Sequence, residues 1–286
     1  MSKTYSQLYI DCRKALKEAD IEAHSLEARL LICFAAGKTQ SELLRDMPLY
    51  TSNEVESRLD RFMHRRLCGE PVAYIMGSWD FYGLSLEVSP DVLIPRFDTE
   101  VMVEKALEII RERNTAPRIL DLCCGSGCIG LAMATQLPEA RVLMLDKSRK
   151  ALEVTRRNIR THNLSARAIC MEADALCPPS RNLGSFDYIL SNPPYIATAE
   201  IESLDSSVKD FEPHSALDGG EDGLAFYRRI AQGAMAHLKP RGCIMLEIGS
   251  TQAQAVLGLL KEHLPVVSSG VVKDLQGLDR VVWAHI

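Results

Sequence analysis

The sequence feature that most constrains the fold is an alternation of short apolar segments with helix-like segments after Pro117. The apolar segments are typical of buried strands, and the segments between them have helical periodicity. This alternation indicates βαβ units, which build a parallel sheet. Strands are predicted at residues 118–121, 141–146, 168–171, 186–190 and 243–247.

The last two apolar segments depart from this pattern because a short turn joins them. Residues 266–272 and 280–286 each have the composition of a strand, and Gln276 with Gly277 supplies the turn. Strands joined by so short a turn pair antiparallel. We therefore predict an α/β fold whose sheet begins parallel and closes with a hairpin.

The N-terminal part of the chain lacks this alternation and has a helical pattern. Residues 1–70 carry apolar stripes at helical spacing and a third helical segment that ends at Gly69 and Pro71. Residues 71–97 are predicted to form a β-hairpin linker, and residues 98–286 form the sheet domain. The two predicted stripes are Leu8, Cys12 and Leu16, then Leu26, Leu30 and Phe34.

Composition excludes several classes of protein. The 286 residues are 47% hydrophobic and 25% charged, and no apolar run reaches the roughly 18 residues that a membrane helix needs. The net charge of -5 argues against a broad basic surface, so no direct nucleic-acid substrate is expected. No membrane association is expected, and the chain is expected to be a monomer.

Two further features bear on the cellular setting. The N-terminal residues have no basic segment followed by an apolar core, which favours a cytoplasmic protein. The nine cysteines are scattered, and even Cys123, Cys124 and Cys128 lack the paired spacing of a metal site. Reduced thiols and no bound metal are therefore expected.

A glycine-rich loop between the first two predicted strands is the expected cofactor site. It runs Asp121-Leu122-Cys123-Cys124-Gly125-Ser126-Gly127-Cys128-Ile129-Gly130 and connects a strand to a helix, where exposed amides favour a negative group. Asp146 ends the next strand, where a carboxylate can bind ribose hydroxyls. The three glycines also satisfy the dinucleotide pattern, so this loop alone does not separate NAD from S-adenosylmethionine. Asp174, after the third strand, is either an adenine neighbour or a turn former.

The tetrapeptide Asn192-Pro193-Pro194-Tyr195 follows the fourth predicted strand and decides what the loop leaves open. The prolines stiffen the backbone, remove two amide donors and leave carbonyl acceptors. The side-chain oxygen of Asn192 and the main-chain oxygen of Pro193 can each accept a hydrogen from a planar NH2 group, on which Tyr195 can pack. A sulfonium methyl is already activated, so the site must mainly align the reacting atoms, without a histidine or lysine base. S-Adenosylmethionine is the expected cofactor.

Three other functions remain open at the level of these residues. An N6-adenine nucleic-acid methyltransferase could use the same tetrapeptide to hold an exocyclic amine, with Tyr195 stacked on a flipped base. Such an enzyme should carry a basic groove, which the acidic net charge disfavours. An NAD-dependent oxidoreductase or a binding protein without catalytic activity would leave residues 192–195 without a role.

The chain as a whole resembles the HemK/PrmC family, the N5-glutamine methyltransferases of peptide-chain release factors. The resemblance extends over essentially the whole length and lies in these segments: Glu70-Pro71-Val72-Ala73-Tyr74-Ile75, Val92-Leu93-Ile94-Pro95-Arg96-Phe97-Asp98-Thr99-Glu100, residues 121–127, Ser191-Asn192-Pro193-Pro194-Tyr195-Ile196, Phe211-Glu212-Pro213, Ala216-Leu217 and Gly220-Glu221-Asp222-Gly223-Leu224. It implies a seven-stranded Rossmann-like methyltransferase sheet that uses S-adenosylmethionine. It also implies that class I release factors are the protein substrates, methylated at the glutamine of a Gly-Gly-Gln loop. The helical domain at residues 1–70 would then be the docking domain.

The resemblance also assigns residues to the site. Asn192, Pro193 and Tyr195 are the expected catalytic residues, and the substrate glutamine is held by Asn192, Pro193, Pro194 and Tyr195. The expected cofactor-binding residues are Asp121, Cys123, Cys124, Gly125, Ser126, Gly127, Asp146, Ala175 and Asn192. This sequence departs from the family where Phe97 replaces a usual Pro and where Cys123-Cys124 replace Gly-Thr or Gly-Ala. The second departure places a Cβ where the backbone approaches the methionine moiety.

Overall fold

The computed structural model describes residues 2–113, 116–177 and 183–286. The chain divides into two compact units. The helical unit comprises the residues up to Gly77 together with Ser206–Phe211, and the sheet unit comprises Ser78–Asp205 and Glu212–Ile286. Within the described ranges, no helix is both long and apolar enough to cross a membrane.

The helical unit packs short helices around a small apolar core. Its N-terminal segment forms α1 (Tyr5–Glu18), α2 (His24–Ala36), α3 (Gln40–Asp46), α4 (Asn53–Leu67) and α5 (Val72–Met76). The predicted stripe of α1 is confirmed, because Leu8, Cys12 and Leu16 are buried. Thr4 begins this helix with a capping box that satisfies two terminal amides.

The predicted buried face of α2 is wrong. Leu26 is 41% exposed, whereas Ala28, Leu31 and Ile32 are fully buried. Apolar side chains surround most of this helix, so periodicity alone favours more than one face. The face is selected by neighbours: Glu27, at the edge of the buried side, forms an ion pair with Arg66 of α4 at 2.6 Å.

The sheet unit begins with a hairpin, β1 (Ser78–Phe81) and β2 (Leu84–Glu87). The predicted hairpin at residues 71–97 is therefore present but shorter, because residues 72–76 form α5 and Gly77 ends that helix in the left-handed region. The remaining elements alternate as predicted. They are α6 (Phe97–Arg113), β3 (Arg118–Leu122), α7 (Cys128–Gln136), β4 (Arg141–Asp146), α8 (Arg149–Thr161), β5 (Ala168–Glu172), β6 (Phe186–Ser191), α9 (Ser206–Lys209, in the helical unit), α10 (Ala225–Ala234), β7 (Leu238–Glu247), α11 (Ala253–His263), β8 (Ser268–Lys273) and β9 (Asp279–His285).

Seven strands form one sheet in the order β5-β4-β3-β6-β7-β9-β8. The first five strands of this order run parallel, and β9 pairs antiparallel with both β7 and β8. The predicted α/β fold with a closing hairpin is therefore confirmed. The order reverses between β3 and β6, and ligands bind outside the carboxyl ends of strands at such a switch point.

The register of the central strands aligns three predicted site residues. Leu122, the last residue of β3, pairs with Leu145 on one side and with Ser191 on the other. Cys123, Asp146 and Asn192 follow these three positions and therefore emerge at the same edge of the sheet. The Ser191 hydroxyl donates to the main-chain oxygen of Leu122 at 2.7 Å, which ties β6 to β3 at this edge.

Candidate active site

A crevice opens at this edge of the sheet, with an empty volume of about 600 Å³. It brings the glycine-rich loop, the end of β4 and the tetrapeptide into one cavity. Three carboxylates and one ammonium group line it: Asp91, Asp146, Asp174 and Lys147. The other lining residues used below are Cys123, Gly125, Ala175, Asn192, Pro194 and Pro213.

The glycine-rich loop is built from three residues in the left-handed region. The φ angles of Cys123, Gly125 and Gly127 are 57°, 54° and 84°. Cys123 is the only one of these with a Cβ, and a left-handed L-residue costs roughly 1 kcal/mol. This explains why the family pattern usually has Gly there. Burial raises the pKa of the Cys123, Cys124 and Cys128 thiols, so all three remain protonated.

Side chains of α8 hold this loop by its carbonyl groups. The Thr155 hydroxyl donates to the main-chain oxygen of Gly125 at 2.7 Å. The Asn158 amide donates to the oxygens of Ser126 and Glu87, both at 3.0 Å, and its own oxygen accepts from the amide of Glu87 at 2.7 Å. A buried asparagine thus joins the hairpin to the loop. These donors satisfy the carbonyl groups of Gly125 and Ser126, which stabilises the conformation of the loop.

Asp146 is placed to bind a ligand and also supports the loop. One carboxylate oxygen accepts from the amide of Gly125 at 2.9 Å, and the other accepts from the amide of Ser148 at 2.8 Å. An ionised carboxylate can accept further hydrogen bonds, so hydroxyl groups of a ligand can still be bound. Burial raises the pKa of Asp146, and the hydrogen bonds from these two amides oppose that rise.

Asp121 is not among the residues that line the crevice, and it contacts the start of α7. It is fully buried, and one of its oxygens accepts from the amide of Gly130 at 2.9 Å. Its other oxygen has no partner among the described residues. Burial raises the pKa of this carboxyl to about 8, so the neutral acid predominates at pH 7. The hydrogen bond from the Gly130 amide to Asp121 stabilises the start of α7.

The tetrapeptide is stiff and closely packed. Pro193 and Pro194 are buried, and Asn192 and Tyr195 are partly exposed. The side-chain nitrogen of Asn192 donates to the hydroxyl of Thr99 on α6, at 3.4 Å. The main-chain oxygen of Tyr195 accepts from the side-chain amide of Gln252 at 2.9 Å. Burial raises the pKa of Tyr195 to about 12, which excludes a phenolate base at physiological pH.

The segment at residues 217–223 supports the tetrapeptide from behind. The amide of Ile196 donates to the oxygen of Leu217 at 3.1 Å, and the amide of Gly219 donates back to the oxygen of Ile196 at 2.8 Å. A Cβ on Gly219 would lie 2.8 Å from the Cα of Tyr195 and 2.9 Å from the oxygen of Pro194. Only glycine permits this approach, which explains part of the Gly-rich family segment in physical terms.

Another wall of the crevice comes from residues 91–93 and 213–216. Next to these lining residues, the buried carboxylate of Glu212 accepts from the amide of Ile94 at 3.1 Å and forms an ion pair with Arg96. Glu212 thus joins two segments that are far apart in the chain. The family segments around Arg96 and Glu212 therefore have a structural role beside the crevice.

The predicted site residues divide into two groups. Cys123, Gly125, Asp146, Ala175, Asn192 and Pro194 line the crevice. The predicted cofactor-binding residues Asp121, Cys124, Ser126 and Gly127 are not among the lining residues, and neither are Pro193 and Tyr195 of the tetrapeptide. Asp174 lines the crevice and accepts from the amide of Leu176 in a turn, so it is a turn former, and its contact with adenine stays a prediction. Cofactor contact by Asp121, Cys124, Ser126 and Gly127 also stays a prediction.

Sequence reasoning gave no role to Thr99, Glu247, Thr155 and Asn158. Thr99 is 1% exposed although it is polar, and Glu247 is 1% exposed at the end of β7. A carboxylate that ends an apolar strand was the available signal, because parallel strands end at the edge where ligands bind. No sequence pattern marked Thr155 or Asn158, whose partners are main-chain atoms distant in the chain.

Comparison with known proteins first identifies the class. A family model described as Methyltransferase small domain matches residues 99–208. The solved structure of a methyltransferase from Pyrococcus furiosus has a TM-score of 0.52 at 19% identity, covering 79% of this chain and 98% of that one. The fold of the sheet unit is thus a methyltransferase fold.

The more specific matches extend over the helical unit as well. A family model described as PrmC N-terminal domain matches residues 7–77. A release factor glutamine methyltransferase of Geobacter sulfurreducens is 40% identical over 96% of this chain and 94% of its own length. That of Caulobacter vibrioides is 39% identical over 99% of this chain and 96% of its own. The chain belongs to the release factor glutamine methyltransferase family.

Proposed function

We propose that this protein transfers a methyl group from S-adenosylmethionine to the side-chain amide nitrogen of the glutamine in the Gly-Gly-Gln loop of class I peptide-chain release factors. The observation that carries the proposal is the position of the tetrapeptide. Asn192 and Pro194 line the same crevice as Cys123, Gly125 and Asp146. A group held by the tetrapeptide would therefore lie beside a ligand held by the loop.

The crevice suits S-adenosylmethionine better than a dinucleotide. Asp91, Asp146 and Asp174 contribute negative charge, against one ammonium group from Lys147. Such a lining favours the sulfonium cation and disfavours the pyrophosphate of NAD. A Cβ built on Gly125 would meet no atom within 4 Å, so the loop borders open space on this side. Asp146 would hold the ribose hydroxyls, and residues 123–125 would face the methionine portion.

The reaction requires alignment more than proton abstraction. When bound, the sulfonium supplies an activated methyl group. The amide nitrogen would form its bond to the methyl carbon as the carbon–sulfur bond breaks, and one N–H proton would be released to water. The oxygens of Asn192 and Pro193 would accept the two N–H groups and stabilise the positive charge that develops on nitrogen. The two prolines keep these acceptors in place, and Tyr195 would pack against the amide plane.

The helical unit is proposed as the docking domain for the protein substrate. Several of its large apolar side chains are exposed, among them Leu44 at 64% and Tyr50 at 76%. We also propose that the protein acts as a monomer in the cytoplasm. Nucleic acid is not proposed as a direct substrate.

A pair of measurements tests the proposal. S-Adenosylmethionine should raise the melting temperature of the purified protein and NAD should not, because only a ligand of the native state stabilises it. Transfer of labelled methyl groups should then be followed with a class I release factor and with DNA or RNA as acceptors. Label on the release factor is the expected result. Label on nucleic acid alone would refute the proposal in favour of an adenine methyltransferase.

A further inference from the structure

We propose that Thr99 and Glu247 are positioning residues that hold the Asn192 amide with its oxygen directed at the substrate nitrogen. The inference rests on the proposed function and adds two residues to its machinery. The three residues come from the sheet unit: Thr99 from α6, Glu247 from the end of β7, and Asn192 from the segment after β6.

The three side chains form a short polar chain in an apolar setting. The Asn192 side-chain nitrogen lies 3.4 Å from the Thr99 hydroxyl oxygen. Thr99 also acts as the hydrogen-bond donor that lowers the pKa of the Glu247 carboxyl. Thr99 and Glu247 are each only 1% exposed, and the second carboxylate oxygen of Glu247 has no partner among the described residues. Catalytic hydrogen bonds are often long without substrate, so the 3.4 Å contact should shorten when the site is filled.

The direction of each hydrogen bond follows from the chemistry of Glu247. An ionised carboxylate only accepts, so the Thr99 hydroxyl must donate its single proton to Glu247. The oxygen of Thr99 is then left as an acceptor, and only the NH2 end of the Asn192 amide can face it. The Asn192 oxygen consequently points the other way, where it can accept a hydrogen from the substrate amide.

Protonation of Glu247 removes this constraint. A neutral carboxyl can donate to the oxygen of Thr99, and the Thr99 proton is then free to point at Asn192. That arrangement favours the Asn192 amide turned by half a rotation, with its NH2 group toward the substrate. A substrate NH2 group has hydrogens of its own to donate, so the turned amide repels it. The site is therefore productive only when Glu247 is ionised.

The surroundings of Glu247 allow this change near neutral pH. Burial raises the pKa of Glu247 to about 7, opposed mainly by the hydrogen bond from Thr99. The charged groups near it are Arg280 of β9, Asp98 of α6 and Arg96. Three neighbours have a pKa raised mainly by burial and further by Glu247, and they stay neutral at this pH: Cys128 of α7, Tyr195 and Tyr227 of α10. The Tyr227 hydroxyl also donates to the main-chain oxygen of Glu247 at 2.8 Å, which fixes the backbone at this residue.

A purely structural role would not require a carboxylate here. A buried charge destabilises the folded state unless it is fully paired, and one oxygen of Glu247 is unpaired. The other residues of β7 from Cys243 to Leu246 are apolar and fully buried. Buried, strongly shifted carboxyl groups beside a crevice are typical of functional sites.

The test measures the pH dependence of methyl transfer at saturating S-adenosylmethionine in matched variants. Thr99→Val keeps the shape and removes the hydroxyl, Thr99→Ser keeps the hydroxyl, and Glu247→Gln removes the titration. Thr161→Val, at the exposed end of α8, is the control for this type of substitution. S-Adenosylmethionine binding and melting temperature, measured for every variant, report whether the fold and the cofactor site persist.

In the wild type, kcat should fall as the pH decreases through about 7. Thr99→Val should lower kcat by about 10-fold to 100-fold, because the amide is no longer aligned, and cofactor affinity should not change. Thr99→Ser should recover most of the rate, and Glu247→Gln should lose the decline at low pH. Thr161→Val should behave as the wild type.

Three results would overturn the inference. They are equal losses in Thr99→Val and Thr99→Ser, an unchanged acidic decline in Thr99→Val and Glu247→Gln, and a wild-type kcat that does not vary with pH. A wild type that transfers no methyl to a release factor would instead refute the proposed function itself. The two failures are therefore distinguishable.

Discussion

The glycine-rich loop and the tetrapeptide form two sides of one crevice, but different interactions hold them. Side chains of Asp146, Thr155 and Asn158 hold the loop by hydrogen bonds to its backbone. The tetrapeptide is held by two prolines, by the close approach of Gly219, and by few polar contacts. Removal of one of the loop's hydrogen bonds should therefore weaken cofactor binding only in part. Removal of the single side-chain oxygen of Asn192 should be enough to prevent alignment of the substrate.

The largest effect is expected for Asn192→Ala, which removes the proposed acceptor and leaves the loop intact. Methyl transfer should fall by about 100-fold or more, because a preorganised group that stabilises developing charge is lost. S-Adenosylmethionine binding should remain detectable by calorimetry. Full activity of this variant would refute the role assigned to Asn192 and remove the contrast between the two sides.

Gly219→Ala tests whether the backbone of the tetrapeptide needs its support. The added methyl would lie 2.8 Å from the Cα of Tyr195, and neither partner is a flexible side chain. Transfer should fall by about 100-fold, since a displacement of roughly 1 Å is enough for this loss. Cofactor affinity should change little, because the three atoms nearest to the added methyl belong to Pro194 and Tyr195 and not to the loop.

The matched control is Gly258→Ala on α11, where an added Cβ meets no atom within 4 Å. This change should leave activity unchanged and stabilise the fold by about 0.5–1 kcal/mol, as alanine does in a helix interior. Equal activity of the two alanine variants would show that the tetrapeptide tolerates displacement.

Asp146→Ala should have a smaller effect than the two changes at the tetrapeptide, and it should act on the side of the crevice formed by the glycine-rich loop. The affinity for S-adenosylmethionine should decrease by about 10-fold, which corresponds to the loss of a hydrogen bond to a charged group. The rate at saturating cofactor should change much less. Asp146→Asn retains one acceptor for the Gly125 amide, so its affinity for S-adenosylmethionine should lie between those of the wild type and Asp146→Ala. If Asp146→Ala binds S-adenosylmethionine normally but transfers methyl groups slowly, Asp146 does not act through cofactor binding.

The smallest effect on methyl transfer is expected for Asp121, whose substitution should instead change the free energy of unfolding. Its pKa is raised from 3.8 to about 8 by burial, so the folded state holds this proton in a pH range where the unfolded state has lost it. The contribution of Asp121 is thus fully present below about pH 4 and is lost as the pH rises through about 8. Urea unfolding of wild type and Asp121→Asn should show the variant gaining relative stability between about pH 4 and pH 8, with little further change above that range. A constant difference would contradict the assignment of a neutral Asp121.

Much of the fold could be predicted because strand and helix patterns determine it locally. The apolar segments after Pro117 predicted the parallel strands, and the Gln276-Gly277 turn predicted the antiparallel closure. The position of the crevice followed from strand ends alone, which is why Cys123, Asp146 and Asn192 line it together. Each of these signals depends on a few neighbouring residues.

The remaining features depend on contacts between distant segments, which one sequence does not contain. The buried face of α2 is fixed by packing and by the pair of Glu27 with Arg66. The role of Thr99 becomes visible only when α6 lies beside Asn192. Asp121 has the residue type of a cofactor ligand, and only its complete burial reveals a supporting role. Tertiary packing, rather than residue type, separates lining residues from supporting ones.

In the proposed reaction, the tetrapeptide presents a glutamine amide of a protein to an activated methyl group. Mass spectrometry of a class I release factor after reaction with this protein and S-adenosylmethionine tests this directly. We expect a gain of one methyl group, in place of one hydrogen, on the side-chain nitrogen of the Gly-Gly-Gln glutamine. We also expect no gain when Asn192→Ala replaces the wild type. A methyl group on any other residue, or an unchanged release factor beside methylated nucleic acid, would contradict the proposed reaction.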